Sequence, residues 1–541
     1  MITEVKGNIV DVQNQNINSG IIKIEKGKII DINIVENEFE NYIIPGFIDA
    51  HVHIESSMLT PSEFARVASI HGTVAVVTDP HEIANVLGIK GVYYMLNNAS
   101  KVPFKFYFGA PSCVPASPFE TSGAAINFKD IDLLLKNENI KFLAEMMNYP
   151  GVVNNDKEVI AKINLAKKYS KPIDGHAPGL SGKTLDKYIK CGISTDHECF
   201  SIEEAREKIK FGMKILIREG TGARNFDELQ PLIEENIDSC MLCSDDKHPN
   251  DLIKGHINLI VKKAIKNGID PIKVLRAASL NPIVHYNLDV GLLRIDDPAD
   301  FIVVDDLKKL NILKTYINGI QVSRNNTSLI SSFKPEIKNN FNIVLKKKSD
   351  FIVKSIDKKI NVIVAIDGQL ITEKVIEKPL ISNEKIISDT DGDILKISVI
   401  NRYENTKPSI GFIKNFGLKK GAIASSVAHD SHNIIVLGVS DENICKAVNL
   451  LIENKGGLCA VGNGRKIILP LPIAGIISDK KFDWVAKKYE EIDEAAKQLG
   501  SNLQAPFMTL SFMALPVIPK LKITDKGLFD SENFKFISLF T

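Results

Sequence analysis

His51 and His53, in the stretch GFIDAHVH, stand one residue apart directly after an apolar run. On a β-strand successive side chains alternate faces, so the two imidazoles would point the same way. Their bases would lie about 6–7 Å apart, a span that fits an ion bound about 2.0–2.1 Å from each ring nitrogen. Taken alone, H-x-H is equally a pair of polar residues at a strand end, bonded to backbone. The sequence supplies company. Glu145 in KFLAEMM, His176 in KPIDGHA, His197 in GISTDHE and Asp245 in SCMLCSDD each close a short apolar or β-branched run. Four imidazoles and two carboxylates exceed the three protein ligands of a typical mononuclear catalytic zinc. A carboxylate among them can bridge two ions about 3.5–4 Å apart. Imidazole with carboxylate suits Zn, Fe or Mn. Water held between two such ions gives hydroxide near neutral pH. Asp245 could coordinate one ion, accept the proton of that water and pass it to a leaving group.

Two further clusters carry titratable groups. TVAVVTDPHEIANVLG ends a strand with Asp79, His81 and Glu82. These either orient ligands from behind, meet the substrate and protonate a ring nitrogen, or simply cap the helix HEIANVLG. In VAHDSHNIIVLG, His429, Asp430 and His432 precede an apolar strand. That cluster reads as a feature of the active-site mouth, a further ion site or a solvated turn. His71 reads as structural, His248 as either structural or functional, and His256 and His285 as structural or peripheral.

The elements that must position these residues follow from the same pattern. GFIDAHVH, TVAVVTDP, FKFYFGAPS, KFLAEMM, KPIDGHA, GISTDHE, MKILIRE and SCMLCSDD are eight strand-like runs that end in polar residues. Helical segments lie between several of them. TPSEFARVA offers Thr60 as N-cap, Pro61 at the first helical position and Glu63 to complete a capping box, and Ser201 with Glu204 repeats the logic. Eight βα units point to an α/β fold, a (β/α)8 TIM-like barrel, whose working residues sit at the C-terminal strand ends. Every candidate ligand falls at such an end.

Flanking runs such as IIKIEKGKIIDI and ILKTYINGIQV suggest a small β-sandwich built from both ends, residues 1–45 plus 287–325. The barrel then occupies 46–286. Polar, lysine-rich residues 325–350 read as a linker, and 350–541 as a C-terminal α+β domain.

Composition narrows the class. The 541 residues are 44% hydrophobic and 25% charged, with 67 Lys+Arg against 66 Asp+Glu. That balance gives no reason to expect nucleic acid or an anionic membrane as partner. The longest apolar run, IILPLPIAGII, is too short to span a bilayer and contains two prolines. Seven scattered cysteines and no signal-peptide pattern at MITEVKGNIV predict reduced thiols in the cytoplasm. Cys240 and Cys243 form a lone C-x-x-C inside an apolar strand and read as structural.

The order H-x-H, bridging carboxylate, His, His, Asp resembles the amidohydrolase superfamily of metal-dependent hydrolases. More narrowly, PGFIDAHVHIESSMLTP, TDPHEIANV, AEMMNYPGV, DGHAPGL, TDHE, CSDDKHP, VAHDSHN and LPLPIAGIISD resemble the bacterial adenine deaminases, along essentially the whole chain. The resemblance implies hydrolysis of adenine to hypoxanthine and ammonia at a binuclear centre of Mn or Fe, with Zn possible. It implies that His51 and His53 hold one ion, His176 and His197 the other, that Glu145 bridges them, and that Asp245 binds metal and acts as base. Glu82 and His81 are the further catalytic candidates, and a homo-oligomer is expected.

Three other readings are weaker. Zinc deaminases with H-x-E use a P-C-x-x-C pair; here Cys240 follows Ser239, far downstream of Glu55. Cyclic-amide hydrolases predict a bridging lysine, but Lys141 lies about 13 Å back along the strand from Glu145. A metal-free scaffold should lack several ligands, and all six are present.

Overall fold

The computed structural model describes residues 2–541. Its central unit is a barrel of eight parallel strands, β1 (Phe47–Val52), β2 (Thr73–Thr78), β3 (Lys105–Ala110), β4 (Ile140–Met146), β5 (Ile173–Gly175), β6 (Thr195–Asp196), β7 (Lys214–Arg218) and β8 (Cys240–Cys243). Continuous ladders join β1 through β5, and β6 through β8. Isolated backbone hydrogen bonds close the two seams. Ser194 N donates to Ile173 O at 3.0 Å across β5–β6. Asp245 N donates to His51 O at 2.9 Å, and His53 N to Asp245 O at 3.4 Å, across β8–β1. Strand β1 is buried along its whole length, as a strand covered on both faces must be.

Thr60 caps the helix Pro61–Ile70, its hydroxyl accepting from Glu63 N at 3.4 Å, with Pro61 in the first turn. The reciprocal half of the capping box is not made. The Glu63 carboxylate instead accepts from Arg66 Nη1 at 2.7 Å and from Phe482 N at 3.1 Å. Likewise Ser201 caps Ile202–Lys210, while Glu204 turns to Gly179 N and Lys208 Nζ. In both helices a backbone N–H from elsewhere in the fold and a basic side chain one turn on take the carboxylate in place of the N-cap N–H.

Strands from both flanks make one eight-stranded sheet, Thr3–Asp11, Asn16–Glu25, Lys28–Ile34 and Tyr42–Pro45 with Phe301–Val304, Ile312–Ile317, Ile320–Arg324 and Thr327–Ser328. Tyr42–Pro45 joins the flanks, parallel to Thr3–Asp11 and antiparallel to Phe301–Val304. Strand alternation splits its residues between two cores. Ile43, Phe301 and Val303 fill the sheet's own interior, while Ile44, Ile302 and Val304 pack on Ile215, Ile217 and Cys240 of the barrel.

Residues 325–350 run mostly without regular structure, but they are not a solvated tether. Phe341 and Ile343 are buried in the C-terminal core, and Asn342 N donates to Arg402 O at 2.8 Å. The polar, lysine-rich composition hid these apolar residues, which alternate inward.

The C-terminal region forms a second eight-stranded sheet, from Thr372–Glu377 at one edge to Arg465–Pro470 at the other. The helix Asp441–Glu453, capped by Ser440, covers one face through Ile444, Ala447, Val448 and Leu451. The other face, with Ile423, Ile435 and Leu437, shares one apolar core with Tyr489 and Leu510 and with the barrel. Tyr489 also bonds His248 Nδ1 at 2.6 Å, and Asn433 Nδ2 donates to Thr121 O at 2.8 Å. The region therefore sits on the barrel end where the candidate ligands lie. No described helix is long and apolar enough to cross a membrane.

Lys522, in the strand Leu521–Thr524, is fully buried and donates to Leu370 O at 2.7 Å and Phe512 O at 3.0 Å, with no carboxylate partner. Burial alone pushes its ammonium down to about 7. Between that value and an unfolded pKa of about 10.4 the unfolded chain holds a proton that the folded chain has shed, so stability rises with pH there. The expected slope is at most ~1.4 kcal/mol per pH unit. Denaturant unfolding from pH 7 to 9.5 checks this: Lys522→Met should flatten the climb relative to the natural chain, and parallel curves would refute it.

Candidate metal centre and active site

Glu145, at the end of β4, is the hub. Its Oε1 lies 3.3 Å from His53 Nε2 and 4.0 Å from His51 Nε2, while Oε2 lies 2.9 Å from His176 Nδ1 and 3.4 Å from His197 Nε2. One carboxylate thus divides its two oxygens between two pairs of imidazoles. Asp245 Oδ1 lies 3.2 Å from His53 Nε2 and 3.7 Å from His51 Nε2. All are buried except His176, whose side chain is 23% exposed.

The donor set fits divalent ions on the chemistry of its lone pairs. His53 Nδ1 lies 3.1 Å from Asp79 O, which can only accept, so Nδ1 carries a proton and Nε2 is the nitrogen turned to Glu145 and Asp245. Against burial, those carboxylates hold the imidazole well above its usual range, and Nε2 becomes a ligand on losing its proton. His51 Nε2 is only 3.2 Å from that Nε2. Burial, then His197 and His53, drive the His51 imidazole well below its usual range, so it is neutral. Imidazole nitrogens and carboxylate oxygens converge within 4.8 Å in groups that could hold an ion, His51–His53–Asp245 and His51–Glu145–His197 among them. Burial works against the charge of Glu145, but His176 and His53 hold its carboxyl well below the usual range.

Local structure aims these groups. Asp49, below His51 on β1, accepts from His51 N at 3.3 Å, from Ser244 N at 3.0 Å and from His256 Nε2 at 2.7 Å. The Thr73 hydroxyl bonds His256 Nδ1 at 2.7 Å. This buried chain ties β1 to β8 and fixes Asp245 against the two histidines. Gly175 precedes His176 because a Cβ there would meet Thr195 O at 2.3 Å. Asp245 itself has φ +53°, in the left-handed region that Asp tolerates better than most residues.

Sequence reasoning missed Arg218 and Glu198. Arg218, fully buried at the end of β7, contacts Asp245 Oδ2 through Nη1 and Glu198 Oε2 through Nη2 at 3.1 Å. Burial opposes ionisation of Asp245, but this guanidinium, followed by His53, holds its carboxyl well below the usual range. Glu198 Oε1 lies 3.4 Å from His197 Nε2 and 3.8 Å from His176 Nδ1. The rule used for the other ligands, polar residues at C-terminal strand ends, would have flagged both had it been applied to IRE and to the last residue of TDHE.

Asp79, His81 and Glu82 also face the centre. His81 Nδ1 lies 3.2 Å from Asp79 Oδ2 and 3.4 Å from Glu145 Oε1. Glu82 is buried and is met by His429 Nδ1 at 2.6 Å and by His432 Nε2, while His81, Glu82 and Asp430 form a third convergent group. Burial resists the charge of Glu82, but His429 and then His432 hold its carboxyl well below the usual range. The remaining candidates lie elsewhere. His71 ends the helix Pro61–Ile70, His285 bonds Ser194 Oγ, and Lys141 is exposed. Cys240 and Cys243 are buried strand residues, and all seven cysteines are free.

A barrel carrying this donor set defines a class. Residues 42–322 match the amidohydrolase family, and residues 369–535 match the adenine deaminase C-terminal domain. The protein is thus a hydrolase of the amidohydrolase class. It is 54% identical to an adenine deaminase of Sulfurovum sp. (strain NBC37-1), with 99% of each chain covered. It is 53% identical to those of Borreliella burgdorferi and Methanosarcina barkeri, again over 99% of each chain. The chain belongs to the adenine deaminase family of amidohydrolases.

Proposed function

We propose that the protein hydrolyses adenine to hypoxanthine and ammonia. His51, His53, Glu145, His176, His197 and Asp245 would hold two ions, manganese or iron before zinc. When bound, such ions supply a hydroxide nucleophile near neutral pH. Asp245 takes the proton released by the attacking water and carries it to the amino group, which departs as ammonia when the C6–N bond breaks. Arg218 keeps Asp245 ionised and turned toward the histidines. Glu82, ionised in the resting site, relays to N1 a proton drawn from the imidazoles against it, and returns to them the proton of the C6 hydroxyl as the carbonyl forms. His81, fixed by Asp79, borders the same space.

The observation that carries this reading is that the part of the chain matching the adenine deaminase C-terminal domain packs His429 and His432 against Glu82 at the barrel mouth. We read the chain as residues 1–45 with 287–325, 46–286 and 350–541, working in the cytoplasm, where seven free thiols are stable.

Ammonia release from adenine, adenosine, cytosine and dihydroorotate by the manganese-loaded protein tests the substrate. Adenine should be the only good one, and turnover of another without adenine would overturn the assignment. Glu82→Gln should lower kcat by about 10²–10⁴-fold, the usual contribution of a general acid, without loss of bound metal.

A further inference from the structure

The segment 428–433 lies far from the barrel strands in sequence, yet it touches the carboxylate assigned above to substrate protonation. His429 Nδ1 lies 2.6 Å from Glu82 Oε1, and His432 Nε2 abuts Glu82 Oε2, so each carboxylate oxygen faces one imidazole. All three residues are buried. The segment is itself held in place. His432 N donates to Ala428 O at 2.7 Å, His429 N to Ser511 O at 3.2 Å, and the His429 ring stacks on Phe512 with centroids 4.3 Å apart.

Two imidazoles around one carboxylate could also be read as a third ion site. The tautomer argues against it. Ala428 N–H donates to His432 Nδ1 at 3.3 Å, which occupies the lone pair of that nitrogen. A neutral imidazole has one lone pair and one N–H, so the proton of His432 is on Nε2, directed at Glu82. A ligand would need that nitrogen bare. The His432 Nε2 proton therefore lies on the side that abuts Glu82 Oε2.

We propose that His429 and His432 are positioning residues. They hold one Glu82 oxygen each by an N–H, and so fix the carboxylate that serves N1 of the purine. The C-terminal region then contributes to the chemistry and is more than a cover. This rests on Glu82 acting on the substrate, the reading given above.

The test uses full-length, manganese-loaded protein, with kinetics and metal content measured on each variant. His429→Ala and His432→Ala should each lower kcat/KM about 10²-fold, the scale of a misplaced catalytic group. Metal should stay at two ions per chain in the natural protein and in both variants. His429→Asn and His432→Gln, which keep an N–H at the same place, should recover at least tenfold over the alanine variants; they also carry the test if an alanine variant does not fold. Added to Glu82→Gln, either alanine change should cost less than about twofold further, because coupled residues lose their effects together. Near-normal rates in the alanine variants, a full further loss on Glu82→Gln, no recovery by Asn and Gln, or a third ion that His432→Ala removes would each overturn the proposal. A near-normal Glu82→Gln would instead remove the reading beneath it.

Discussion

Asp245→Asn leaves a protein that keeps most of its metal and has almost no turnover. Asparagine preserves the shape and one acceptor oxygen, so the hydrogen bonds through the Asp245 backbone that close the β8–β1 seam are untouched. What is lost is the charge that Arg218 stabilises and the basicity that accepts a proton. Removing a general base typically costs about 10²–10⁴-fold, and the upper end is expected where the residue also delivers the proton to the leaving group. The measurement is kcat alongside elemental analysis of the same preparation. Near-normal turnover would place the base elsewhere, and metal lost in parallel with activity would make Asp245 a ligand only.

Glu145→Gln attacks the other half of the site. Its carboxylate faces His51 and His53 with one oxygen and His176 and His197 with the other. Glutamine offers one acceptor and two N–H donors, which would oppose ring nitrogens aligned as ligands. The site should retain at most one ion per chain after dialysis, with activity down at least about 10³-fold, beyond the usual second-shell loss of 10–100-fold. The thermal stabilisation that added manganese gives the natural protein should also shrink, since a ligand stabilises only the state that binds it. Two retained ions would show that Glu145 is not the bridge.

The parts of this protein that were legible in the sequence are those set by local rules. The eight barrel strands show because apolar runs ending in polar residues are local patterns, and strand alternation explains Val52 between His51 and His53. The six proposed ligands could be picked because each closes such a run. What was not legible depended on partners far along the chain. Nothing near Asp245 announces Arg218, and nothing near Glu82 announces His429 or His432. Glu63 illustrates the same limit from the other side. Its spacing from Thr60 predicts a capping box, but Phe482 of the C-terminal region, together with Arg66 one turn on, takes the carboxylate. His256 read only as structural or peripheral, and what it supports was hidden because its partner Asp49 belongs to the opposite end of the barrel sequence. Residues 325–350 read as a linker, and their buried anchors Phe341 and Ile343 were hidden among lysines and asparagines.

The seam between β8 and β1 bears on the order in which the protein is made. Strand β1 leaves the ribosome early, and its final neighbour is the last barrel strand to emerge. Closing so long a loop adds little entropy cost, since each doubling of length adds only about 0.6 kcal/mol. It does make the step late, because distant pairing waits on everything between. Until Asp245 arrives, β1 has an open edge and apolar residues that are wholly covered in the finished fold. Glu82 waits longer still, until His429 and His432 have been synthesised. All eight barrel strands are thus present in the chain before the residues that flank Glu82 have been made.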